Sequence, residues 1–317
     1  MLAAFPAGAD AYPDPRVMTR IATLPSLSDR LSASSADYRD PLAQVAWETL
    51  DLERPWMPEE MVSLYGTPEW EALSEEQRRR LGQCELVAFL ELGLWLEALF
   101  MQRIAARTSQ GPGRDLADYT YQLHELREEA GHSLMFVEAI RRSGIPPMAS
   151  RSRRPRMATA FARMAPFDSA GFWATILIGE AVPDQVNRIL SRDERLPEAV
   201  RQVMGVHMRE EARHIAFARS RVGERLDGLT PLRRRALARL VRQVFRQFID
   251  QCFYPPAAVY AEAGLERPRA LARRARRNPH RAGVVARCIG PTVDFLAERG
   301  LALEPLPGSA PRPAEAD

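Results

Sequence analysis

The chain has 317 residues, 46% of them hydrophobic, with a formal net charge of only +3. That is ample apolar material for a core, and the balance of charge singles out no nucleic-acid or membrane partner. All 44 basic residues are arginines, which excludes Schiff-base chemistry, pyridoxal anchoring and a Walker-type phosphate loop, each of which needs a lysine amine.

Cys84, Cys252 and Cys288 are scattered and odd in number. They fit no disulfide framework or zinc spacing and point to a reducing cytoplasm. The opening MLAAFPAGADAYPDP lacks the basic start and apolar run of a signal peptide. The most apolar segment, LVAFLELGLWLEALFM, holds two glutamates and is not a membrane span.

In chain order, residues 1–40 are rich in Pro, Ser, Ala and Asp and read as an extended arm. Residues 41–304 read as one helical domain, and 305–317 as a disordered Pro- and Ala-rich tail. Ser74 before Glu75, Glu76 and Gln77 is a capping box, so a long helix is predicted from there to about 108. The turn SQGPGRD (109–115) ends it. A second helix spans about 116–143, stopped by Gly144-Ile145-Pro146-Pro147. The basic stretch 151–156 is a linker. A third helix is predicted over about 168–191 and a fourth over 197–226. Gly228 and Pro231 separate a fifth, about 232–252, and shorter helices near 266–276 and 282–299 close the domain. Four long helices with short turns predict an all-α, ferritin-like four-helix bundle with additional C-terminal helices.

Two of the five histidines repeat one local frame: Glu129-Ala-Gly-His132 and Glu211-Ala-Arg-His214. Residues three apart share a helix face, so each motif can offer a carboxylate and an imidazole to one point. Glu180 stands in FWATILIGEAV with no other charge between Asp168 and Asp184, and Glu97 stands in LGLWLEALFM. A lone buried carboxylate costs several kcal/mol (an order of magnitude) unless it is paired or binds a metal. A two-metal bundle site takes one glutamate from each of two helices and E-x-x-H from each of the other two. Glu97, Glu129-x-x-His132, Glu180 and Glu211-x-x-His214 supply that set in order. His207 lies on the same stripe as Glu211 and His214 and offers a third imidazole. Glu128 and Glu210 sit beside the chosen glutamates, and angular position alone does not exclude Glu210; keeping the two motifs in one frame favours Glu129 and Glu211. Pro183 clashes with the Gly179 carbonyl, so a kink is expected beside Glu180. His124 and His280 have no partner pattern.

With EEQRRRL leading into the Glu97 helix, HELREEAGHSLMF, LIGEAV and HMREEARHIAF, the chain resembles the p-aminobenzoate N-oxygenase (AurF-like) family over about residues 65–303. The resemblance implies a metal set of four glutamates and three histidines, matched by Glu97, Glu129, His132, Glu180, His207, Glu211 and His214. It implies two iron ions as cofactor, O2 as co-substrate, a homodimer, and oxidation of an amine through hydroxylamine and nitroso stages to nitro, often in natural-product biosynthesis. It also expects a tyrosine two turns before the first glutamate, where this chain has Phe89.

Carboxylate and imidazole ligands suit iron(II). An apolar pocket lined by residues such as Phe89, Trp95, Phe172 and Trp173 is expected to exclude water. No flavin or nicotinamide fingerprint is present, so electrons must come from a reductase or external donor. The rival readings are a di-iron C–H hydroxylase or desaturase, which the third histidine disfavours through the resemblance, and a ferritin-like iron-binding protein, for which the chain is long. The run RPRALARRARRNPHR (267–281) is either a docking surface for an acidic carrier or donor protein, or a solvated arginine-rich helix. No aromatic residues interleave its arginines, so nucleic acid is not an expected partner.

Overall fold

The computed structural model describes residues 25–113, 115–148 and 156–306. The helices expected from the sequence form nearly where their caps place them. Helix α3 (Glu75–Thr108) starts at a complete capping box: the Gln77 backbone N–H donates to Ser74 Oγ, and the Ser74 N–H donates to the Gln77 side chain. Helix α4 (Leu116–Ser143) is capped by Asp115 and ends at Gly144, whose φ of 65° lies in the left-handed region that glycine tolerates. Ser169 caps α6 (Ala170–Arg192), which continues through Pro183. Helix α7 (Glu198–Asp227) follows after a short turn.

These four form the bundle, with α3 packed on α4 and α6 on α7. Around it lie α8 (Pro231–Phe253), α10 (Pro268–Arg276) and α11 (Pro279–Glu298), all foreseen from the sequence. Four short helices were not foreseen: α1 (Leu27–Ser35), α2 (Pro68–Glu71), α5 (Arg156–Met164) and α9 (Ala257–Glu262). The first falls in the segment read as an extended arm; the rest of that arm before residue 25, the linker residues 151–155 and the tail from 307 lie outside the described residues. No strand occurs among the described residues, and none of their helices is long and apolar enough to cross a membrane.

Two glycines let the bundle close around its centre. A Cβ on Gly93 of α3 would stand 2.8 Å from the Phe136 ring of α4. One on Gly131 of α4 would meet the Tyr38 hydroxyl at 2.6 Å and Pro41 at 3.0 Å. The second contact seats the 3₁₀ turn Pro41–Gln44 against the back of the helix that carries Glu129 and His132.

Candidate metal centre

The four long helices turn a set of ionisable side chains into an interior that water does not reach. Glu129, His132 and Glu211 have no exposed surface, and Glu97, Glu180, His207 and His214 are all buried. Two groups of ligand atoms form, each gathered within 4.8 Å: one from Glu97, His132, His207 and Glu211, the other from Glu129, Glu211 and His214. Glu211 belongs to both, which is the arrangement that two neighbouring cations sharing a carboxylate require. His207 Nε2 lies 3.3 Å from Glu97 and 3.3 Å from Glu211. His214 Nδ1 lies 3.0 Å from Glu129 and 3.3 Å from Glu211, while His132 Nδ1 lies 3.3 Å from Glu211. Glu180 stands outside both groups, is close enough to Glu211 for the two carboxylates to repel, and lines the adjoining pocket with Glu97 and His207.

Glu128 and Glu210, left open by the sequence, hold the outer nitrogens of the two E-x-x-H imidazoles. The pairing crosses between helices: Glu210 Oε2 lies 2.8 Å from His132 Nε2, and Glu128 Oε2 lies 3.0 Å from His214 Nε2. Each imidazole therefore turns Nδ1 to the centre while a carboxylate from the other helix fixes its ring. Arg213, 2.9 Å from Glu128, anchors that carboxylate in turn. Asn187 holds Nδ1 of His207 at 2.7 Å, leaving Nε2 for the centre. The signal for the glutamates was the doubled E-E before x-x-H; Asn187 follows Glu180 by two helical turns and so shares its face.

The electrostatics of these side chains alone are frustrated. Burial, then Glu129, pushes the Glu97 carboxyl well above its usual range, and burial, then Glu211, does the same to Glu180. Burial and Glu211 also push Glu129 upward, but the neighbouring His214, Glu97 and His132 outweigh them and hold it at about 2. Among the described residues both oxygens of Glu129 and of Glu211, with Nδ1 of His132 and His214, find no hydrogen-bond partner. Buried polar atoms left bare at one point and carrying excess negative charge fit a pair of divalent cations, and mixed carboxylate–imidazole donors suit iron or manganese.

The apolar pocket beside the centre is lined by Phe89, Leu92, Leu96, Phe136, Pro183 and Met204 among others. Of the four aromatics expected there, only Phe89 is among its lining residues. Phe172 and Trp173 instead pack with Phe167, and Trp173 with Phe217, deep in the bundle. His124 meets Arg127, and His280 meets the Glu60 carbonyl. Arg103 donates to the Arg163 and Ala165 carbonyls.

A helical bundle gathering carboxylates and imidazoles into two groups around one shared glutamate has the architecture of the ferritin-like di-metal proteins. A family profile described as P-aminobenzoate N-oxygenase AurF matches residues 21–300, and the chain belongs to that family of di-metal oxygenases. It is 27% identical over 236 residues to the uncharacterized protein MT0908 of Mycobacterium tuberculosis (strain CDC 1551 / Oshkosh), covering 72% of this chain and 68% of that protein. The figures are the same for the uncharacterized protein Mb0909 of Mycobacterium bovis (strain ATCC BAA-935 / AF2122/97). Among solved structures, an R2-like ligand-binding oxidase with an aerobically reconstituted Mn/Fe cofactor shares the fold at a TM-score of 0.55 and 14% identity, over 93% of this chain and 98% of that one. Its V72A mutant shares it at 0.54 and 14%, over 87% and 93%.

Proposed function

We propose that the protein is an O2-dependent N-oxygenase that oxidises an amine, an arylamine in the first instance, at two iron ions held by Glu97, Glu129, His132, Glu180, His207, Glu211 and His214. The observation that carries this reading is the third imidazole: His207 adds a nitrogen donor on the side of the centre that faces the apolar pocket, together with Glu97 and Glu180. When bound, the irons supply the activation of O2. The chain's own side chains do the rest. Glu210, Glu128 and Asn187 fix the imidazole rings, so the donor set needs little rearrangement. Phe89, Leu92, Leu96 and Phe136 keep water away from the reacting end of the amine. Gly93 leaves the Phe136 ring room against α3, where it forms one wall for a flat substrate.

Electrons come from an external donor or reductase, and the product is a hydroxylamine, nitroso or nitro compound of a natural-product pathway. The same reading includes a homodimer. Leu116, Leu123, Leu134 and Val137 are exposed along one side of α4 at spacings that return to the same face, a self-complementary stripe for a second copy.

The test is to load the protein anaerobically with iron(II), count the metal, admit O2 with a panel of arylamines and identify the products. The expected result is two irons per chain and an N-oxygenated product, with metal content and product both falling in Glu180→Ala. An alcohol or alkene as product, or no retained iron, overturns the reading; light scattering on the same sample is expected to give twice the chain mass.

A further inference from the structure

Helix α8 concentrates a charge that the chain as a whole nearly balances. It carries six arginines, Arg233, Arg234, Arg235, Arg239, Arg242 and Arg246, against one acid, Asp250, in a chain whose formal net charge is +3. Asp250 is taken up by Arg276 of α10. Three of the six arginines stand near the N-terminal end, and no acid lies in the first turn. The helix macrodipole favours acids there and disfavours cations, so helix formation by itself does not call for this placement.

The arginines sort by face. Val241, Val244, Phe245, Phe248 and Ile249 turn to the core. Arg235, Arg239, Arg242 and Arg246 follow one another at spacings of four, three and four residues, which makes one stripe along the helix. At the helical rise per residue the stripe is about 16 Å long. Arg235 and Arg239 are exposed, and Arg242 and Arg246 half-buried. Arg242 Nη1 donates to the Glu304 carbonyl at 2.9 Å and Arg246 Nη2 to the Pro305 carbonyl at 2.8 Å, contacts that hold the two guanidinium groups in place. The groove between α8 and residues 300–302 is lined by Arg234, Arg235, Arg239 and Arg242 and by no acidic residue. Arg225 and Arg274 have Asp168 and Glu69 as partners, but no ion pair involves Arg233, Arg235 or Arg239 among the described residues.

We propose that this stripe is the docking surface for an acidic protein, one that presents aspartates or glutamates along a single helix at the same spacing. Cations gathered on one face repel one another, and a row of carboxylates in register relieves that repulsion. Charge of this kind steers a partner in quickly and releases it readily as salt rises. Nucleic acid fits the surface less well. Phe245, Phe248 and Phe253 of α8 are buried and offer no ring for a base to stack on, while Leu232 beside the stripe is 77% exposed and suits an apolar contact at a protein interface. The proposal does not rest on the N-oxygenase reading.

The experiment measures fluorescence anisotropy of two stapled helical peptides, each about three turns long, titrated with the full chain in the absence of turnover. Both have the same composition; one carries its glutamates at spacings of four, three and four on one face, the other spreads them around the helix. A labelled DNA duplex is the third probe. The one-faced peptide is expected to bind more tightly than the spread one, and more weakly as salt rises. Arg235→Ala with Arg239→Ala is expected to lower its affinity about ten-fold, whereas Arg269→Ala with Arg273→Ala, two exposed arginines of α10, leaves it within two-fold, roughly the scatter of surface substitutions. The comparison of the two peptides on the unaltered protein needs no variant to fold. Equal binding of the two peptides, binding of neither, or an equal loss in the α10 variant overturns the proposal. Tighter binding of the DNA overturns it in favour of nucleic acid. A large gain in peptide affinity on Glu315→Gln with Asp317→Asn overturns it in favour of the chain's own C-terminal acids as the occupant.

Discussion

Glu128 and Glu210 act on the centre only through the rings they hold, so their loss is expected to loosen metal without abolishing the donor set. Glu210→Gln or Glu128→Gln keeps the shape but weakens the charge-assisted contact to His132 or His214. Metal affinity is expected to fall by about 10–100-fold, read by competition with a chelator. Glu85 gives a pH dependence of its own. Burial raises its carboxyl above the ordinary 4.5, against the pull of Arg281 and Ser63. A raised folded-state value means that the stability tied to Glu85 is fully present below about 4.5 and lost as pH rises through the raised value. Glu85→Gln cannot ionise, so the gap between its melting temperature and that of the unaltered protein is expected to shift in the variant's favour as pH rises. A gap that stays constant from pH 4 to 8 refutes this.

At the scale of the elements, α4 serves two sides at once. Its inward face carries Glu125, Glu129 and His132, and its outer stripe carries the exposed leucines. Between them Gly131 admits Tyr38 and Pro41. Gly131→Ala puts a methyl within 2.6 Å of the Tyr38 hydroxyl. The gain in helix propensity is about 1 kcal/mol, while overpacking costs about 1–3 kcal/mol, so a net loss of stability is expected from the denaturation midpoint. Tyr38→Phe in the same chain removes the clashing oxygen and is expected to recover part of that loss. The Arg-rich run at 267–281 also divides by element. Arg274 and Arg276 pair with Glu69 and Asp250, whereas Arg281 on the next helix turns into the interior. Arg267, Arg269, Arg273 and Arg277 remain exposed.

At the scale of the whole molecule, Glu97, Glu129, Glu180 and Glu211 are buried together, a cost that bound divalent cations would offset. Adding iron(II) anaerobically is expected to raise the melting temperature, by about 2.7 kcal/mol of stabilisation at a hundred-fold excess over the dissociation constant. A chelator should reverse the rise, and Glu211→Ala, which removes the residue common to both ligand groups, should show little of it. Equal melting with and without iron refutes the link between the buried charges and metal.

The amino-acid sequence by itself determined the long helices, because their caps, periodicity and stop signals are local: the Ser74 box, the Gly144 end and the Ser169 start each act within a few residues. It also carried the convergent residues, since two E-x-x-H motifs and two glutamates in apolar runs are improbable except at a shared centre. Tertiary structure alone decided the rest. The crossed pairing of Glu128 with His214 and of Glu210 with His132 joins residues more than 75 positions apart, and no local pattern orders two helices about their axes. Phe172 and Trp173 read as pocket walls because they are aromatic and near Glu180; which face of α6 meets a neighbour and which a cavity depends on how the bundle closes. The same holds for Arg281. Within a basic run it looks like its neighbours, and only the packing of α11 against the rest of the chain buries it on the Phe253 and Met61 carbonyls.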